Sequence, residues 1–296
     1  MFFHDRRLQY NAKPVRPDPV YAKKLQELLG GQWGEITVAL QYLFQGWNTR
    51  IPGKYRDMLL DTGTEELAHI EMLATMIARL LEGAPVAQEE AARHPVIAAV
   101  LGDMNPQHAI VSGLGPQVAD SVGYPWNGRY VTASGNLLAD FRYNLTAESQ
   151  GRLQAVRLYN MTDDPGVRDM LAFLIARDTM HQNQWLAAIP ELEAEGLERT
   201  PVPSAFPPQL EHRQFSYQFW NLSAGTESAQ GRWAQGPSPD GRGQFQYVAN
   251  PVPLAPPPEP PPVPNPRVFD TVSGHGQAPT GPTRPGPPMP GRPPGL

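Results

Sequence analysis

The sequence predicts an all-α fold: a four-helix bundle with one long crossover, then a loop-rich extension and a disordered proline-rich tail. Three observations carry this expectation. Apolar residues recur at helical spacing in four long stretches. Cap residues bound those stretches. Each pair of stretches has a short link, and about 45 residues separate the two pairs.

Composition narrows the function. Of the 296 residues, 18% are charged and the net charge is −5. A chain this mildly acidic does not read as a nucleic-acid binder. It has no cysteine. That excludes a disulfide scaffold, thiolate zinc sites, iron–sulfur clusters and a cysteine nucleophile. No apolar stretch approaches the roughly 18–20 residues of a membrane span, so no membrane partner is expected. The segment MFFHDRRLQYNAK is charged where a secretory signal needs its apolar run, and the expected compartment is the cytoplasm.

Residues 1–17 read as an irregular arm. The bundle is expected over 18–189. Asp18-Pro19 starts the first helix, with Asp as N-cap and Pro at the first helical position. Its apolar row, Leu25, Leu28, Leu29, Ile36, Leu40, Leu43 and Trp47, predicts one helix to about Trp47, weakest at Gly30-Gly31. A second helix is expected from Pro52 to about Glu82, ended by Gly83 and Pro85. Residues 84–131 are rich in Gly and Pro, with a short helix expected near Pro95–Leu101 and an Asn-Gly hairpin signal at Asn127-Gly128. A third helix fits Ser134 to about Met161, and a fourth Pro165 to about Ala188. Asp163-Asp164-Pro165 joins these two tightly, so they should be antiparallel neighbours. Two hairpins joined by one long crossover is the connection pattern of ferritin-like bundles. Residues 190–250 read as a loop-rich extension, placed at subunit contacts. Residues 251–296 hold about half of the 35 prolines and read as a disordered tail.

Ionisable residues interrupt the apolar faces. Glu35 shares a face with Leu28, Val38, Ala39 and Tyr42. Glu66 sits with Leu59, Thr62, Ile70 and Leu73, and His69 follows it by three. Residues i and i+3 lie roughly 60° apart and about 4.5 Å along the axis, so one metal can meet both. Glu148 shares a face with Phe141, Leu145 and Ala155. His181 lies with Leu174, Ile175 and Trp185, and Asp178 precedes it by three. A single Glu-x-x-His on a helix is common by chance. One inward acidic residue at mid-helix on each of four helices is not, and dinuclear carboxylate bundles ask for such a set. Unpartnered buried carboxylates are very costly, whereas a dinuclear cation neutralises them. Asp178 is one methylene shorter than a glutamate. The ligand set is therefore read as Glu35, Glu66, His69, Glu148 and His181, which suits manganese or iron.

At these residues the sequence resembles the manganese catalase family. The segments GGQWGEITVALQYLFQ, EELAHIEML, AESQGR and RDTMHQNQW match it in order and spacing, over about residues 1–250. The resemblance implies two manganese ions per chain and dismutation of hydrogen peroxide, the substrate, to oxygen and water. The pair would cycle between its di-Mn(II) and di-Mn(III) states. It implies that Glu66 bridges the ions, Glu35 and His69 complete one, and Glu148 and His181 the other. It implies a cytoplasmic homo-hexamer. Asp178 is either the proton base or a hydrogen-bond partner of a ligand. Tyr42 is expected to hydrogen-bond toward the cluster. The pattern departs at Ala147 and Ala155, where some members carry a cation; Arg152, four after Glu148, is the nearest substitute on that face.

A calcium site is a further expectation. Asp57 and Asp61 lie one turn apart, and Asn221, Ser223 and Gly225 follow late in the chain. From the residues alone, Asp57 and Asp61 read as a solvated acidic face; the resemblance reverses that order. Two other functions compete with the catalase. One is a di-iron carboxylate oxidase or peroxidase on the same fold. The other is a catalase-like structural protein of the spore-coat type, which the tail would suit.

Overall fold

The structure is a computed structural model. It describes residues 4, 7–51, 53–84, 105, 107–196 and 210–254. The helix expected near Pro95–Leu101, the start at Pro52 and nearly all of the tail lie outside these residues. The chain divides into two compact units, Met1–Arg213 and Gln214–Leu296.

The first unit is built on five helices: α1 (Pro19–Gly30), α2 (Glu35–Asn48), α3 (Lys54–Leu80), α4 (Leu137–Asn160) and α5 (Pro165–Ala194). The caps are those the sequence names. Asp18 accepts from the Tyr21 amide at 2.9 Å and Pro19 opens α1. Asp164 accepts from the Gly166 and Val167 amides at 2.9 and 3.1 Å and Pro165 opens α5. Helices α2 and α3 pack as one hairpin, and α4 and α5 as the other.

Two expectations about helices need correction. The single first helix is in fact two, α1 and α2, interrupted at residues 31–34. Glycines make the break. A Cβ on Gly30 would stand 2.2 Å from the Ala119 carbonyl oxygen, and one on Gly34 would stand 2.6 Å from that of Leu28. The crossover is thus laced onto α1. Gln26 donates to the Gln117 and Ala119 carbonyls at 2.7 and 2.6 Å, and Ser121 donates to Glu27 at 2.6 Å. Alanine at position 30 would gain about 1 kcal/mol in helix propensity. The backbone clash outweighs it, and Gly30→Ala is expected to destabilise by about 2 kcal/mol in denaturant unfolding. A rise in stability would mean the crossover does not press on α1.

The second correction is at the end of α5. It runs past Ala188, through Pro190, to Ala194. Proline removes the bond to the Leu186 carbonyl, but Leu186 is on the exposed side, where water can serve that oxygen. On the other side Trp185, Ala188 and Leu192 stay buried, and their burial carries the helix across the proline. The Asn127-Gly128 pair does not make a hairpin either. The Asn127 side chain accepts from the Arg129 amide at 2.9 Å and caps a 3₁₀ turn, Gly128–Tyr130.

Two apolar clusters fill the bundle. One contains Leu25, Met72, Met76, Ile77, Leu171 and Leu174. The other contains Tyr42, Leu59, Leu138, Phe141, Trp185 and Leu192. On α3 the clusters leave a gap between Leu59 and Met72, and on α5 between Leu174 and Trp185. Glu66, His69, Asp178 and His181 fall in those gaps. A polar layer is thus held between two apolar plugs.

The second unit holds three short strands: β1 (Gln218–Trp220), β2 (Gln235–Pro237) and β3 (Gln244–Val248), in the order β1-β3-β2. β1 runs parallel to β3 and β2 antiparallel to it. This sheet lies within the segment read as loops. Strands of three to five residues are too short to show an alternating pattern.

Candidate metal centre

Five buried side chains from four helices form two overlapping groups. Glu35, Glu66 and His69 make one, and Glu66, Glu148 and His181 the other; within each, the ligand atoms lie within 4.8 Å of one another. Glu66 is common to both. Its Oε2 lies 2.6 Å from His69 Nδ1, and its Oε1 lies 2.7 Å from His181 Nδ1. Glu35 Oε2 and Glu148 Oε1 each stand 3.7 Å from the nearer of those ring nitrogens. The two imidazoles are roughly parallel, with centroids 5.7 Å apart. Glu35 is not at mid-helix as expected: it is the first residue of α2, at the helix break.

The other named residues surround this pair. The Tyr42 hydroxyl donates to Glu148 Oε1 in a short hydrogen bond, and its ring packs on Trp185 at 5.1 Å. Asp178 is buried and belongs to neither ligand group. Burial, then the charges of Glu35 and Glu66, push its carboxyl well above the usual range, so it faces the same field. Ala147 and Ala155 are buried. Arg152, the nearest cation on that face, donates to the Gln182 side-chain oxygen at 3.1 Å.

Sequence reasoning missed Glu65 and Arg177. Arg177 grips Glu65 with Nε and one terminal nitrogen at 2.6 and 3.0 Å, and Glu65 Oε2 meets His181 Nε2 at 3.2 Å. A signal existed. Glu65 and His69 are spaced i,i+4, as are Arg177 and His181, so each pair shares a helix face.

The electrostatics say what the layer accepts. Burial first, and then Glu66, push the Glu35 carboxyl up to about 8, and burial and Glu66 push Glu148 up as well. Burial would raise Glu66 too, but protonated His181 and His69 outweigh it and hold it down. The imidazoles move the other way. Burial lowers His181, yet Glu66 and Glu65 carry it up to about 11. Negative charge is thus crowded into a dry layer and is balanced by protons held on two imidazoles. Divalent ions would replace those protons. The donor set fits them: three carboxylates and two imidazoles, with one carboxylate able to serve both ions. His181 Nδ1 adds an observation. It is buried and 2.7 Å from Glu66 Oε1, yet makes no aligned hydrogen bond. A nitrogen and an oxygen that share a cation rather than a proton stand this way.

The calcium residues fall in both units. Asp57 and Asp61 are exposed on α3. Asn221, Ser223 and Gly225 belong to the second unit, where the Asn221 side chain faces the Gly225 and Ser223 carbonyls at 3.0 and 3.2 Å.

Known proteins agree with this geometry. The family model described as manganese containing catalase matches residues 1–279, beyond the limit near 250 set from the sequence and into the proline-rich segment. A manganese catalase of Bacillus subtilis is 64% identical over 249 residues, 84% of this chain and 90% of that one. A manganese catalase of Lactiplantibacillus plantarum is 49% identical over 254 residues, covering 85% of this chain and 92% of the other. Among solved structures, KatB, a manganese catalase from Anabaena, aligns with a TM-score of 0.66 at 27% identity, over 85% of this chain and all of that one. With its polar layer of two overlapping carboxylate–imidazole groups, the chain belongs to the family of manganese-containing catalases.

Proposed function

We propose that this chain dismutates hydrogen peroxide to oxygen and water at a dinuclear manganese centre held by Glu35, Glu66, His69, Glu148 and His181. The observation that carries the reading is the sharing of Glu66 between two buried ligand groups. A manganese pair, when bound, supplies the two-electron redox chemistry that both half-reactions need. The chain supplies the rest. One peroxide gives up two electrons and two protons to become oxygen; the other takes up two of each to become two waters. Two protons must therefore be kept near the site between halves, one of them on a base. Asp178 suits that role, because its buried carboxyl can take a proton on an Oδ and return it. Tyr42 orients Glu148 through its hydroxyl. The two apolar clusters keep bulk water from the layer.

The finer parts of the reading are a cytoplasmic location, a homo-hexamer and a calcium ion. Among the described residues no helix is long and apolar enough to cross a membrane. The half-exposed pair Phe44 and Trp47, with ring centroids 5.1 Å apart, is the kind of surface that self-assembly covers. For calcium, the support is the oxygen-rich set of Asp57, Asp61, Asn221, Ser223 and Gly225. With its nitrogen toward the Ser223 and Gly225 carbonyls, the Asn221 amide donates to both and accepts from the Tyr247 hydroxyl.

The test is oxygen release on an electrode, with protein expressed in added manganese. One oxygen per two peroxides supports the catalase. Peroxide loss without oxygen would point instead to a peroxidase. No peroxide loss from manganese-loaded protein would sink the enzyme reading.

A further inference from the structure

Glu65 makes contacts that the five-ligand set leaves unexplained. Its side chain is 21% exposed, at the outer edge of the polar layer. Its two oxygens divide between the two ligand histidines. Oε2 lies 3.2 Å from His181 Nε2, and Oε1 faces His69 Nε2 at 3.7 Å. His69 Nε2 is buried and makes no hydrogen bond, and Glu65 Oε1 is the carboxylate oxygen that approaches it, at ion-pair distance. Both imidazoles therefore turn Nδ1 inward to Glu66 and Nε2 outward to one carboxylate.

We propose that Glu65 is the positioning residue for both halves of the centre, holding the two imidazoles in the Nε2–H form so that each Nδ1 lone pair faces an ion. The proposal rests on the dinuclear reading above. Metal-bound histidines commonly donate their other N–H to a carboxylate, which fixes ring orientation and tautomer. Here a single carboxylate serves two rings on two helices, α3 and α5. It is itself held from outside. Arg177 grips both oxygens, and Gln9 of the N-terminal arm donates to Oε1 at 2.8 Å. The arm is fixed nearby, where Tyr10 stacks on Phe173 at 4.3 Å and donates to Asp169 at 3.2 Å. A surface ion pair between Glu65 and Arg177 alone would not need its oxygens to diverge toward two buried rings.

A shared orienter has a consequence that separate orienters would not. Its loss must weaken both ions together. The test measures manganese bound per full-length chain by equilibrium dialysis and metal analysis, with the coupled dinuclear spin signal as second readout. Glu65→Gln keeps the shape but turns an amide N–H toward a ring N–H. Both ions are expected to weaken in parallel, by about 10- to 100-fold. The coupled signal should vanish at manganese concentrations that saturate the unaltered chain. Two ions bound at unchanged affinity, or the selective loss of one, would overturn the proposal. If the unaltered chain does not bind two ions, the dinuclear reading fails instead. If Glu65→Gln does not fold, Arg177→Gln decides: parallel weakening supports the shared role and unchanged affinity refutes it.

Discussion

Replacing Glu66 by alanine is expected to abolish oxygen release from hydrogen peroxide, by about 10⁴-fold or more, and to remove both ions rather than one. Glu66 is the sole carboxylate common to the two ligand groups. One of its oxygens faces each imidazole, at 2.6 and 2.7 Å. Without it neither group keeps three ligands, and the two ions lose the anion that screens their mutual repulsion. Glu35→Ala makes the contrast, since it strips a ligand from only one group. Metal analysis of the two purified variants separates them: near zero manganese for Glu66→Ala, and more than that for Glu35→Ala. Equal manganese content in the two would argue that Glu66 does not bridge. Melting of the metal-free variants controls for folding.

Much of this site is written in the sequence because its chemistry breaks a pattern. A carboxylate on an apolar helical face is conspicuous, and Glu66 with His69 three residues on is a metal-binding spacing. Glu148 and His181 stand out in the same way, and the capped ends at Asp18 and Asp164 set the register of their helices. What stayed hidden depends on contacts distant in sequence. The break that makes Glu35 a helix start exists because the crossover presses its Ala119 carbonyl onto Gly30, 89 residues away in sequence. Glycines there weaken a helix but do not say what approaches them. Glu65 was masked by its neighbour. Beside an inward Glu66 it reads as an edge residue, and only the fold brings His181 and Arg177 against it. The small sheet in the second unit was hidden by brevity, and Pro190 misled because side-chain burial beyond a proline is not a local property.

The metal-free chain is expected to lose stability as pH rises, while the manganese-loaded chain loses less. The sign follows from the direction of each shift. The Glu35 carboxyl is raised from 4.5 to about 8 on folding. Its contribution is therefore full below about 4.5 and is lost as pH climbs through 8. Glu148 and Asp178 are raised too and act in the same sense. His181, raised from 6.5 to about 11, contributes fully below 6.5 and is lost as pH climbs through 11. Glu65 and Glu66 are lowered, so their contributions are complete above about 4.5 and fall away only in acid. Between pH 6 and 9 the raised groups thus set the slope, and the folded metal-free chain must keep protons that the unfolded chain releases. Manganese needs the ligands among them, Glu35, Glu148 and His181, deprotonated, so binding expels those protons and reduces the dependence. The gap in melting temperature between loaded and metal-free protein should widen across pH 6–9, by roughly 10 °C. Scanning calorimetry with and without manganese reads it directly. Titrating manganese into weakly buffered metal-free protein should release more than one proton per chain. A metal-free melting temperature that is flat or rising over this range would show that the buried carboxylates do not crowd one another as the polar layer requires.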